Sequence, residues 1–375
     1  MEGNQKWIYL MSSNTNEEYM VDTMEALSLP YGSVLHFRYQ LRWLDPDIRK
    51  CLLQKGEGLK GNLKDSIVVV CYLYQEKREN EYEWKAIYPI RTAILVDAYR
   101  TGDEDWNIAH FYFKLTNYIS YNGNDFTTEK MRERIGDQFG QAYAVYGFPL
   151  EEKEMVKEKE KSAFFQLCNS INFNHFKTPE GSFYVPLFCY IEGLRDQEGK
   201  LIQPSYDPSS RKSYYKLKEG SRYLFEFAPY FPLSFLKQSF RYPMFTLSCD
   251  KRIFSTPEKY RLKVASRYNE ESWYIIPSLL EKDLWTNISF KTEEADKVEE
   301  GAKNFLHLDI NIPVRVTRNM LYRRFNLAAD IFFSLGTISL AFAKSLPQWS
   351  WWYFPVGFFY FLWVIFKLIY QFWRG

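Results

Sequence analysis

FNLAADIFFSLGTISLAFA (325–343) and WWYFPVGFFYFLWVIFKLIYQFW (351–373) close this 375-residue chain. As helices at about 1.5 Å per residue, each run matches a hydrocarbon layer of about 30 Å. Between them KSLPQ (344–348) supplies a turn with a helix breaker. The second run is aromatic at 13 of its 23 positions and apolar on every face, unlike a helix on a water-facing surface. The reading is a C-terminal two-helix transmembrane hairpin over 319–375.

Charge gives the hairpin an orientation. Arg315, Arg318, Arg323 and Arg324 precede the first run and Arg374 follows the second, while the turn holds Lys344 alone. The positive-inside rule then puts both ends in the cytosol of a multi-pass membrane protein, at the inner membrane if the source is bacterial. Arg318, Arg323 and Arg324 sit at the near interface, and Trp351 and Trp352, with Trp349 and Tyr353, form an aromatic belt at the far one. Asp330, Ser334, Thr337, Ala341 and Lys344 recur at helical steps on one face. Asp330 and Lys367 differ in depth by about 5 Å and can pair across the hairpin. Asp330, Ser334, Thr337 and Lys367 are therefore the embedded polar set. They line either a polar path in a homo-oligomer or a packing seam.

The remaining residues read as a mainly β body. The aromatic fraction of 19%, with 29 Tyr and 31 Phe, favours strands. A small mixed β-barrel is expected over 1–125, with strands near 7–11, 33–43, 66–74, 82–88, 91–99 and 107–115 and one helix from Asp45 to Gln54 after an Asp cap. A helical, charged linker follows over 126–177. A β-sandwich is expected over 178–318, broken by a long polar loop at 195–216. Its last strand alternates most cleanly: Leu308, Ile310, Ile312, Val314 and Val316 face in, and Asp309, Asn311 and Arg315 face out.

Chemistry is sparse. A net charge of +2 leaves no bulk basic field for duplex nucleic acid. Five scattered cysteines read as reduced, buried thiols. Gly56, Gly58 and Gly61 fit the dinucleotide glycine pattern, but a helix precedes them and a strand follows, the reverse of what that motif needs. None of the four histidines stands at ligand spacing from another His or Cys, so no metal site and no cofactor are expected. An enzyme is not expected either. A Cys–His pair that meets only in space stays open.

The stretch with most potential runs from Leu29 to Trp43. On a strand, Leu35, Phe37, Tyr39 and Leu41 share one face and His36, Arg38, Gln40 and Arg42 the other. His36, Arg38 and Arg42, beside Tyr31 and Trp43, form a candidate site that holds a phosphate and stacks a base.

In organisation, a β-rich body joined to a transmembrane hairpin resembles bacterial membrane-anchored antiviral defence effectors. That resemblance implies a sensor–effector: a nucleotide or protein trigger binds the body, copies oligomerise, and the lipid bilayer is perturbed. The alternatives are a membrane-tethered scaffold that recruits another protein, and a membrane-bound enzyme with a site assembled from scattered residues.

Overall fold

Trp7 to Met11 of β1 (Trp7–Ser13) are buried in succession, the mark of a strand packed on both faces. β3 (Ile67–Arg78) runs parallel to it and β6 (Val145–Phe148) antiparallel. Ile8 and Leu10 join Val68, Val70 and Tyr72 in the main core. Trp7, Tyr9 and Met11 join Val69, Cys71, Leu73 and Tyr146 in a second cluster on the opposite face. With β2 (Val34–Gln40), β4 (Glu81–Thr101) and β5 (Ile108–Ile119), the sheet order is β2-β5-β4-β3-β1-β6, and β7 (Lys157–Glu158) pairs with β5 off this path.

The computed structural model describes residues 7–53, 63, 66–79, 81–102, 107–119, 143–148, 157–158, 161–182, 184–186, 188–230, 244–249, 259–263, 269–274, 283–293, 304–306, 308–345 and 358–366. The glycine pattern at 56–61 and positions 126–142 of the expected linker lie outside them, as do Trp351, Trp352 and Lys367.

The expected small mixed barrel is instead an incompletely closed sheet. Among the described residues its strand path ends at β2 and β6, and the bridge Leu44 to Val145, with Ala144 N donating to Trp43 O and Asp45 N to Val145 O, joins the chain beyond β2 to the far edge. The two strands expected at 82–88 and 91–99 are one, running through Pro89 at an irregularity of the ladder where a missing N–H is tolerated.

α1 (Glu17–Ser28) lies between the strands expected at 7–11 and 33–43, where no element was expected. Asn16 caps it through its side chain, and Glu17 and Glu18 suit the positive end of the helix dipole. Met20, Met24 and Leu27 are fully buried on one face. α1 packs against β1, β3 and β9 (Phe188–Arg195), so it forms a layer between the two halves.

In the second half, β15 (Asn269–Tyr274), β12 (Arg222–Tyr230) and β9 form an antiparallel sheet, and β8 (Tyr184–Val185) pairs in parallel with β17 (Asn304–Phe305). The larger sheet has the order β10 (Ser205–Asp207), β11 (Lys212–Lys218), β18 (Asp309–Thr317), β16 (Leu284–Glu293), β13 (Met244–Ser248), β14 (Lys259–Lys263). Phe227 meets Phe290 edge-on between the two sheets. On β18, Ile310, Ile312, Val314 and Val316 are buried, while Asp309 and Asn311 are exposed. The segment expected as a polar loop carries the β10–β11 hairpin. α3 (Lys161–Ser170) inserts Phe164 and Leu167 into the same core, so one apolar cluster runs through both halves.

The transmembrane hairpin is overturned. α4 (Met320–Ser345) and the helix at 358–366 pack antiparallel through Phe325 with Phe366, Phe332 with Trp363, and Phe333 with Tyr360. Among the described residues, however, no helix is long and apolar enough to cross a membrane. α4 has 26 residues, but Arg323, Arg324, Asn326 and Asp330 interrupt its first turns. Of the second apolar run, the described residues are the helical 358–366. The multi-pass topology, the inner-membrane location, the interfacial roles of Arg318, Arg323, Arg324, Trp351 and Trp352, and the embedded roles of Asp330, Ser334, Thr337 and Lys367 lose their basis with it. Arg318, Arg324 and Ser334 are exposed; the Arg323, Asp330 and Thr337 side chains are not among those described.

Candidate functional site

The alternation expected on β2 is present: Leu35 and Phe37 are buried, and His36 and Arg38 are exposed. The strand ends at Gln40, and a 3-10 turn takes over Leu41–Trp43. That turn removes Arg42 from the alternation and stacks its guanidinium on Trp43, 4.8 Å from the ring centre. Tyr31 precedes the other end of β2. Seven strand residues span about 23 Å, so Tyr31 and Trp43 do not flank one ligand. Of the five expected site residues, His36 and Arg38 share a face, and Tyr31, Arg42 and Trp43 stand apart from it.

β5 and β4 complete that face. Register pairs His36 with Tyr112 and Arg38 with His110 across β2–β5. It pairs Tyr112 with Asp97 and His110 with Tyr99 across β5–β4. The result is a grid of six side chains, two from each strand. Asp97 and Tyr99 reach it because of an irregularity. Leu95 is buried opposite Phe113, and strict alternation would send residue 97 inward as well. The register shifts between Leu95 and Asp97, the extra residue turns Asp97 and Tyr99 outward, and Ala98 takes the buried position.

The rings of the grid lie nearly parallel. His36 stacks on Tyr112 at 4.2 Å between ring centres and on His110 at 5.2 Å. Tyr99 stacks on His110 at 4.8 Å. His36 Nε2 and His110 Nδ1 are 3.0 Å apart and share one hydrogen, and His110 Nε2 meets Thr101 Oγ1 at 2.7 Å. Two neutral imidazoles satisfy this chain in either direction, with the N–H of one ring donating to the bare nitrogen of the other.

A cation from the second half covers the grid. Arg211 follows the β10–β11 turn with φ 55, in the left-handed region. Asp207 braces the turn by accepting from Ser209 and Ser210. The Arg211 guanidinium lies 4.4 Å from the Tyr99 ring centre and 5.7 Å from that of Tyr112, and Nε donates to Asp97 Oδ2. Arg38 has no ion-pair partner among the described residues.

These charges set the titration of the face. Burial, then His110, Arg38 and Arg211, bring His36 down to about 4. Burial, then the same two arginines, lowers His110. Burial and the hydrogen bond to Tyr99 raise Tyr112 to about 12. The pair is therefore neutral near pH 7, beside two cations. Such a face favours an anion and disfavours a metal ion. Among the described residues no group of three or more His, Cys, Asp or Glu is suited to a metal. Cys71, Cys168 and Cys189 are buried, and burial raises their thiols.

His110, Tyr112, Tyr99, Asp97 and Arg211 are the members that spacing along the chain does not reveal. His110 lies 74 positions from His36. One signal was available: on β5, Ala109, Phe111, Phe113 and Leu115 alternate with His110, Tyr112 and Lys114, which marks a second strand with a polar face. No protein-family model matches the chain, and neither does any curated protein.

Proposed function

We propose that this chain is a ligand-sensing module whose outer sheet face, built on His36, Arg38, His110, Tyr112 and Arg211, takes a small phosphate-bearing ligand of the nucleotide kind. This keeps the sensing half of the sensor–effector expectation. The observation that carries it is the convergence of two guanidinium groups on one ladder of parallel rings. Guanidinium forks match phosphate oxygens, and interleaved aromatic rings suit a flat base. Arg38 supports the reading further, since it stands exposed and makes no ion pair among the described residues.

Calorimetric titration of the full chain with adenosine monophosphate and with adenosine tests this. The monophosphate binds, and adenosine binds at least about tenfold more weakly. Arg38→Ala and Arg211→Ala each weaken the monophosphate by about ten- to a hundredfold, as expected for hydrogen bonds to charged groups worth about 1.5–3 kcal/mol. Absence of monophosphate binding, or variants that bind like the wild type, removes the proposal.

A further inference from the structure

We infer that the ligand is recognised as a phosphoryl dianion and that the His36–His110 pair takes up one proton as the dianion arrives, which makes occupancy depend on pH. This rests on the reading of the face as a phosphate site and adds a mechanism to it.

The geometry permits one proton and no more. Two rings sharing a single hydrogen at 3.0 Å accommodate one further proton, because a donor still faces an acceptor. With His110 doubly protonated, Nδ1–H donates to His36 Nε2 and Nε2–H donates to Thr101 Oγ1. A second proton would set two N–H groups against each other. Without ligand the surroundings oppose even the first. Arg38 on β2 and Arg211 above β4 and β5 repel it.

Among the described residues, the other charged or titratable groups that act on this face lie on β4, β5, β10 and α1. Tyr112 lies on β5 and Asp97 and Tyr99 on β4. Tyr206 on β10 faces Asp97 and Arg211, and Asp22 on α1 faces Arg38. Asp97 is engaged by Arg211 and does not offset Arg38. A dianion held by both guanidinium groups reverses the local field, and the pair becomes basic enough to accept a proton from solvent. Linkage fixes the sign: affinity strengthens as pH falls through the bound-state pKa and levels off once the free pair is itself protonated.

The test is calorimetry of the full chain with adenosine monophosphate at pH 7, in buffers of different ionisation enthalpy. The ligand's phosphate is then mostly dianionic, since its second pKa is about 6, and beside two arginines it stays so. Any proton it loses on binding has the opposite sign to the effect sought. The expected result is net uptake of between about 0.2 and 1 proton per ligand bound, with affinity rising several-fold between about pH 8 and pH 6.5. His36→Gln and His110→Gln bind more weakly, as expected of residues in the site, and show no uptake at concentrations that saturate them. Binding with no uptake, with net release, or with uptake unchanged in both variants overturns the inference and leaves the phosphate site standing. Failure of the monophosphate to bind at all, at any of these pH values, removes both.

Discussion

Arg91 is 1% exposed. Its Nη1 donates to Ala26 O at 3.0 Å and also to Leu29 O, its Nε donates to Thr116 O, and the Tyr118 ring centre lies 4.4 Å from its guanidinium carbon. A cation thus closes the C-terminal end of α1, where the helix dipole is negative and its last carbonyls need donors. Arg91→Met fills the space and strands those carbonyls. It should lower stability by about 3 kcal/mol in urea denaturation, and an unchanged midpoint would refute the capping role. Nothing in the sequence around Arg91 hints at this, because its partners lie on α1 and β5. Asp45 is the opposite case. Its place just before Pro46 marks a helix start, and Oδ1 does accept from the backbone of Asp47 and Ile48 to open α2 (Pro46–Leu53). What the sequence could not offer is that its other oxygen accepts from Gly147 on β6.

At the scale of elements, α1 carries a cost that its burial makes measurable. Burial raises Asp22 to about 7, helped by Glu18 and opposed by Arg38. Burial raises Glu25 to about 7 as well, helped by Asp22 and Asp309. For an acid whose folded pKa is raised, the penalty is absent below the unfolded pKa near 4. It grows as pH rises toward 7 and is constant above that. Asp22→Asn and Glu25→Gln should therefore each stabilise the chain at pH 7.5 by about 1–2 kcal/mol and flatten the dependence between pH 4 and 7. Equal pH profiles for the variants and the wild type would contradict this. The signals for α1 are in the sequence: an Asn cap, two glutamates, and Met20, Met24 and Leu27 at helical spacing. They are weak beside the strand-rich runs that flank them. The β4 irregularity has no such signal, since nothing in LVDAY (95–99) shows where the register shifts.

For the whole molecule, patterning separates a first β half from a second, and the sheets have the orders β2-β5-β4-β3-β1-β6, β10-β11-β18-β16-β13-β14 and β15-β12-β9. Patterning does not show that the two halves bury their side chains in one cluster, because alternation tells which face is apolar and not what covers it. Asn14 is fully buried at this junction. It accepts from Gln75 N at 2.8 Å and donates to Gln75 O at 2.9 Å and Lys177 O at 2.7 Å. With a shared core, backbone and side-chain signals should melt together in one transition, and Asn14→Ala should shift all of it by about 2–3 kcal/mol. Two separated transitions would contradict a single core. The two apolar runs at the end of the chain illustrate the same limit. The two described helices pack through the rings of Phe325, Phe332 and Phe333 on Trp363 and Tyr360. Apolar length alone led to a membrane crossing that the described helices do not support.

The anion-binding face is tested most directly by the imidazole resonances of the full chain, followed while adenosine monophosphate is added at pH 7. His36 and His110 should move together and saturate together. His175, stacked on Tyr74 and hydrogen-bonded to Tyr88, should stay in place. If His36 and His110 hold their positions at saturating ligand, or if His175 moves and they do not, the face described here is not where the ligand binds.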